Sequence, residues 1–294
     1  MMHPAPFDNF SARSADGTRL AGRHWKPKNH KRGNIVLVHG FGEHLGRYDF
    51  LATGLSGAGF EVVGVDLRGH GGSDGQRGFI HRWQDYLTDV QAAASRLDQD
   101  YFLLGHSMGG PVTLEFVRQY PDAVQGMILS SPLLGVAIPT PGWKEFLARH
   151  MSKWLPRLSL PAGLDPDWIS RDSEDVANYR NDPLIFDKVT PRWFVEMNAA
   201  LERIHANAPR YRTPMLLHIG DADKIVSMSE ALRFTEAYSG PKNGQVWKGG
   251  YHELFHDLEK DAVLAATLIW LDKQLGHSAP DQESAGSISN SNTA

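Results

Sequence analysis

Short, largely apolar runs without polar alternation, the first two rich in β-branched residues, recur at 35–38, 62–65, 101–104, 127–129 and 215–219. Runs of this kind are what strands buried on both faces look like. Between most of them lie stretches, at 45–58, 83–97 and 108–120, in which apolar side chains return every third or fourth position. That spacing predicts helices with one face turned to a core. Strand and helix alternating in this way predict an α/β fold, a mostly parallel central sheet flanked by helices.

The edges of this pattern are as informative as its middle. Segments 10–13 and 19–25 flank Asp16-Gly17, a step that favours a tight hairpin turn, and predict two paired strands at a sheet edge. A helix is expected at 228–238, a strand at 245–247 and an amphipathic helix at 258–275. Between 129 and 215 roughly 80 residues pass without a strong strand signal, far beyond ordinary loop length, which predicts an inserted helical cap. The expected organisation is a core over 1–133 and 213–275, a cap over 134–212, and a solvated tail over 276–294, where Ser, Asn, Ala and Gly dominate. Within the insert, Trp143, Phe146, Leu147, Met151, Trp154, Leu155 and Leu158 fall at helical spacing, with Lys144, Arg149 and Lys153 among them. Such a stripe serves either to pack the insert onto the core or as a lid face that meets acyl chains or a lipid surface.

Composition narrows the functional classes. The 294 residues carry 30 Lys and Arg against 34 Asp and Glu, and no basic run supplies the phosphate-neutralising charge that nucleic-acid binding needs. With no cysteine, disulfides, thiolate metal sites and cysteine nucleophiles are excluded. His70 and His81 have no metal-ligand spacing, and no phosphate-cradling G-x-x-x-x-G-K-[ST] occurs, so neither metal nor cofactor is expected. No apolar run reaches the roughly 18 to 20 residues needed to span a bilayer, so membrane contact is expected to be peripheral. Residues 1–10 hold prolines, a histidine and an aspartate where a leader would be apolar, and the expected location is cytoplasmic.

The strongest chemical signal is Gly105-His106-Ser107-Met108-Gly109, a G-x-S-x-G match directly after one expected strand and directly before one expected helix. A serine in that sharp turn stands exposed at a helix start, where the Met108 N–H and the helix dipole favour developing negative charge. A serine hydroxyl needs a base, and the base needs an orienting carboxylate, in the chain order Ser, acid, His. His252, in Gly249-Gly250-Tyr251-His252-Glu253, follows the last strand and is the expected base; His256 is its competitor. The acid comes from Gly220-Asp221-Ala222-Asp223, where Asp221 suits a turn and Asp223 suits the cleft. A second oxyanion donor is expected from the Phe41 N–H in His39-Gly40-Phe41-Gly42-Glu43-His44. The polar segment 66–73 is read as a loop braced by Asp66 and Arg68.

Taken together, His39-Gly40-Phe41-Gly42-Glu43-His44 with Arg47-Tyr48, Asp66-Leu67-Arg68-Gly69-His70-Gly71-Gly72-Ser73-Asp74-Gly75 and Gly105-His106-Ser107-Met108-Gly109-Gly110 resemble the monoacylglycerol lipase and lysophospholipase group of α/β-hydrolases. The resemblance covers nearly all of 19–275, and the insert resembles that group's cap through 155–160 and 179–184. It implies the α/β-hydrolase fold, hydrolysis of lipid carboxylic esters such as monoacylglycerols, lysophospholipids or other esters, and a small lipid ester as partner. It also implies Ser107, Asp223 and His252 as triad, Phe41 and Met108 as oxyanion donors, and Glu43, Arg47 and Tyr179 as contacts to the alcohol end. Two places depart from the group's pattern: Phe41 replaces a residue that is often smaller, and Phe255 and His256 alter a polar position just after the base.

Overall fold

The apolar runs fold as strands of one eight-stranded sheet in the computed structural model, which describes residues 5–138 and 141–276. The residues 277–294 of the expected tail lie outside the described residues. Across the sheet the order is β1 (Phe7–Arg13), β2 (Arg19–Trp25), β4 (Phe60–Val65), β3 (Gly33–Val38), β5 (Tyr101–His106), β6 (Val124–Ser130), β7 (Met215–Gly220) and β8 (Lys242–Trp247). β2 pairs antiparallel with β1 and β4, and every later pairing is parallel. Asp16-Gly17 makes the β1–β2 turn, with Gly17 at a φ of 87° that a side chain would resist.

Each central strand feeds two cores by alternation. On β3 and β5, Val36, Val38 and Leu103 face one helical layer, while Ile35, Leu37, Phe102 and Leu104 face the other. The first layer is α2 (Gln84–Ala94) and α3 (Gly109–Gln119); the second is α1 (Asp49–Gly57) and α8 (Lys260–Gln274). Each such buried side chain is worth about 1.5–3 kcal/mol relative to exposure, so the register of the central strands is firmly set.

The interval between β6 and β7 holds α4 (Gly142–Trp154), α5 (Ser173–Asn181) and α6 (Pro191–Asn207). Asp172 accepts the Glu174 N–H to start α5, and Thr190 accepts the Trp193 N–H with Pro191 in the first turn of α6. The last helix of the first layer, α7 (Met228–Ala237), follows β7.

Several elements differ from expectation. The stretch 45–58 is a 3-10 turn, Leu45–Tyr48, followed by α1, because the His44 ring accepts the Gly46 N–H and fixes a tighter start. β8 begins at Lys242 rather than 245; its early residues are polar and exposed, as an edge strand permits, and carry no alternation. The final helix begins at Lys260, since Asp257 spends its carboxylate on the N–H groups of Tyr251, Arg171 and Leu258 and holds a turn there. The apolar stripe of α4 is not packed onto the core: Trp143 and Trp154 are 65% and 82% exposed, and Phe146 and Leu147 are exposed beside them. Only Ser152 of α4 is buried, and the helix rests on α6. Among the described residues no helix is long and apolar enough to cross a membrane.

Candidate active site

The turn after β5 carries Ser107 in the left-handed region, at a φ of 50°. A non-glycine residue there costs about 1–3 kcal/mol and needs surrounding structure to hold it. Three main-chain bonds do so: Ser107 N–H donates to Ser130 O at 3.0 Å, while Ser107 O accepts from Gly110 at 2.9 Å and Leu133 at 3.0 Å. The flanking glycines are steric requirements. A Cβ on Gly105 would lie 2.4 Å from Gly109 O, and one on Gly109 would lie 2.2 Å from Val38 O. The turn therefore lifts Ser107 above the carboxyl ends of β3 and β5.

His252, from the loop after β8, places Nε2 2.9 Å from Ser107 Oγ and Nδ1 2.8 Å from Asp223 Oδ2. Asp223, from the loop after β7, is fixed in turn, because its Oδ1 accepts the N–H groups of Ile225 at 2.8 Å and Val226 at 3.0 Å. Asp221 instead accepts the Gly249 N–H and ties its loop to the one that carries His252, while the local turn is made by Asp223 Oδ1. His256 bonds the Arg47 carbonyl at 2.6 Å, away from the serine. The structure thus brings Ser107, His252 and Asp223 into one hydrogen-bonded chain.

Electrostatics follow from burial and neighbours. Burial pushes the His252 imidazole down, but the Asp223 carboxylate, with Glu253 and Glu43 behind it, outweighs that and holds its pKa above the ordinary histidine value. Burial pushes Asp223 up, and His252 with the two main-chain donors more than reverses it, so Asp223 stays a carboxylate. His106, whose ring lies 4.9 Å from that of His252, is pushed down to about 3 by burial and by His252, and stays neutral. A base must be unprotonated to act, so kcat/KM is expected to rise with pH through a limb centred above the ordinary histidine pKa. A pH profile on a soluble ester checks this, and a limb below that value would contradict it. By linkage, the raised pKa contributes stability below the unfolded-state value, and this is lost as the pH rises through the folded one.

The loop bearing Phe41 is braced from below. Glu43, 2% exposed, accepts from Gly40 N–H and from Tyr48 Oη at 2.6 Å through its Oε1. His39 accepts the Leu67 N–H at 2.9 Å, and Asp66 accepts the N–H groups of Leu45 and Gly72, each at 2.8 Å. Arg68 pairs with Asp89. The segment 66–73 is a brace, as read from its composition. Neither the Phe41 nor the Met108 N–H has a protein acceptor among the described residues.

Two spaces meet at Ser107. A cleft of about 360 Å³ runs under the insert, lined by Phe41, Leu133, Trp193, Phe194, Met197 and Ile225 among others. On the other side lies a pocket of about 30 Å³ with Glu43, Tyr179, His252 and Glu253 in its wall. Glu43 and Tyr179 therefore border the serine, while Arg47 does not line either space. Its guanidinium, largely buried, is held by Glu253, by Asp175 at 3.2 Å and by Glu43 at 3.4 Å, and sits 4.8 Å over the Tyr179 ring. Sequence reasoning missed Glu253, which adjoins the base, and Asp175, which reaches the site from α5. Among the described residues no group of three or more His, Asp or Glu is arranged to hold a metal.

Comparison with known proteins agrees with this architecture. The chain is 33% identical over 273 residues to the monoglyceride lipase of Mus musculus, covering 89% of each chain. It is 32% identical to phospholipase YtpA of Bacillus subtilis, over 82% of this chain and 95% of that one. The crystal structure of Paleococcus ferrophilus monoacylglycerol lipase superposes with a TM-score of 0.81 at 34% identity, covering 88% of this chain and 99% of that one. The family model described as serine aminopeptidase, S33, matches residues 29–259. On its fold and on that match, the chain belongs to the serine aminopeptidase S33 family of α/β-hydrolases.

Proposed function

We propose that this protein is a carboxylic ester hydrolase that cleaves monoacylglycerols to glycerol and free fatty acid. The observation that carries the reading is the Ser107–His252–Asp223 chain set where an apolar cleft meets a small pocket bordered by Glu43 and Glu253. In this reading Ser107 Oγ attacks the ester carbonyl as His252 Nε2 takes its proton; Asp223 holds the tautomer and stabilises the imidazolium. The Phe41 and Met108 N–H groups receive the oxyanion. His252 then protonates the leaving alcohol, and water, deprotonated by the same imidazole, releases the fatty acid from the acyl-enzyme.

The apolar cleft suits an acyl chain, which turns the alcohol end toward the side of the small pocket, where Glu43, Tyr179 and Glu253 stand. Glu43 and Glu253 both border that pocket, and Arg47 is already shared among three carboxylates, so a phosphate there would meet uncancelled negative charge. This supports an uncharged glycerol leaving group over a phosphodiester. The similarity to a bacterial phospholipase keeps a lysophospholipase in view, and a general carboxylesterase would use the same triad. A panel of monoacylglycerol, lysophosphatidylcholine and short-chain aryl esters separates them. The expected result is highest kcat/KM on monoacylglycerol; equal or higher values on the phospholipid would overturn the assignment.

Residues 134–212 act in this reading as a cap that roofs the acyl cleft. The exposed apolar face of α4, with Lys144, Arg149 and Lys153 around it, suits peripheral contact with a lipid surface from which substrate enters. A groove of about 530 Å³ beside α4 shares Ile138, Ala162, Val189 and Phe194 with the acyl cleft, which joins that face to Ser107. Vesicle co-sedimentation of a Trp143→Ser, Trp154→Ser variant is expected to fall several-fold against the parent chain. Equal binding would count against the cap as the contact.

A further inference from the structure

A second cleft, of about 440 Å³, lies between the carboxyl end of α3 and the segment leading from α6 into β7. Its wall contains Arg118, Arg210, Arg212 and Tyr211, with Val117 and Pro121 beside them, and no Asp or Glu. Among the described residues, the only carboxylate that engages these arginines is the buried Glu115 below, which takes Arg118 at 3.0 and 3.1 Å and is also approached by Arg203 at 3.4 Å. The outer two arginines are propped by neutral acceptors. Arg212 donates from Nη1 to the carbonyls of Pro209 at 2.8 Å and Tyr211 at 2.9 Å, and Arg210 donates to Asn207 Oδ1 at 3.2 Å. These bonds orient the guanidinium groups without cancelling their charge.

Tyr211 is 4% exposed, its ring stacks on Tyr238 at 5.8 Å, and its hydroxyl is buried without a hydrogen-bond partner among the described residues. Tyr211 lines the cleft, but its hydroxyl is closed to solvent, so the groups that a ligand can reach are the exposed Arg210 and Arg212 guanidiniums. Guanidinium forks match phosphate oxygens bidentately, and the volume exceeds what inorganic phosphate alone would fill. We infer that this cleft binds a small organic phosphate, its phosphate on Arg210 and Arg212 and its apolar body against Val117 and Pro121.

The cleft lies at the end of the sheet where β7 begins, whereas Ser107 and the insert stand at the opposite, carboxyl end, about 20 Å away along a six-residue strand. It therefore faces away from the apolar surface of α4, which assigns it a soluble phosphate in place of a lipid headgroup.

The test is isothermal titration of the full chain with phenyl phosphate, beside inorganic phosphate and benzyl alcohol. The expected result is saturable one-to-one binding of phenyl phosphate, weaker binding of inorganic phosphate and none of benzyl alcohol. Affinity should fall at least about tenfold in an Arg210→Ser, Arg212→Ser variant, whose fold is checked by thermal melting. Phenyl phosphate should not compete with hydrolysis of a short aryl ester, which separates this site from Ser107. No saturable binding, equal affinity in the arginine variant, or competition at Ser107 would overturn the inference. So would capture on phosphatidic acid vesicles that needs Arg210 and Arg212 while phenyl phosphate goes unbound, since that would move the ligand to the lipid surface.

Discussion

Ser107→Ala is expected to lower kcat by about six orders of magnitude while leaving the melting temperature close to that of the parent chain. The loss is this large because the hydroxyl forms and breaks the covalent bond in both half-reactions, and the remaining groups act as a unit around it. The fold should tolerate the change, since the strained turn is held through main-chain atoms of Ser107, bonded to Ser130, Gly110 and Leu133, and not through its side chain. Alanine keeps all three bonds. Steady-state hydrolysis of a monoacylglycerol, with thermal melting in parallel, checks both halves. Residual activity within a hundredfold of the parent would show that another group is the nucleophile.

Asp223→Asn is expected to cost about four orders of magnitude in kcat with little change in KM. The local hydrogen bonds dictate why. Oδ1 of this side chain accepts two main-chain N–H groups, from Ile225 and Val226, so an asparagine must keep its carbonyl oxygen there and turn its NH₂ toward His252 Nδ1. Nδ1 must then accept, which puts the imidazole proton on Nε2, 2.9 Å from the Ser107 hydroxyl that needs a base. The geometry survives and the tautomer is wrong. Kinetics on the same monoacylglycerol read the effect, and a loss of less than tenfold would mean that Asp223 does not orient the base.

Much of this arrangement can be read from the chain before any coordinates. The central strands are legible because both faces are buried, so β3, β4, β5 and β7 each hold a run of three or more residues without a charged or polar side chain. The serine turn is legible because it demands glycine at two fixed positions, Gly105 crowded by the Gly109 carbonyl of the same turn and Gly109 by the Val38 carbonyl of β3. Asp221 and Asp223 separate only in the fold: Asp223 makes the local turn with one oxygen and meets the imidazole with the other, while Asp221 reaches across to Gly249.

What escapes a linear reading is long-range or lies on an edge. Arg47 meets Asp175 and Glu253 across separations of 128 and 206 residues, and no local pattern in any of those three segments announces the encounter. That convergence takes Arg47 out of the pocket wall, where the resemblance would set it, and leaves Glu43, Tyr179 and Glu253 there. β8 hides because an edge strand can be polar on both faces. The α4 stripe has the spacing of a buried face and yet points outward, since periodicity states that a helix is amphipathic but not what its apolar side meets.

Everything proposed for the reaction rests on a single hydroxyl made nucleophilic by its contact with His252. The direct measurement is to treat the folded protein with a fluorophosphonate ester, digest it and locate the added mass by peptide mapping. The predicted result is one adduct per chain, on Ser107, forming more slowly as the pH is lowered through the His252 limb. An adduct on a different residue, or none on protein that still hydrolyses ester, would contradict the account.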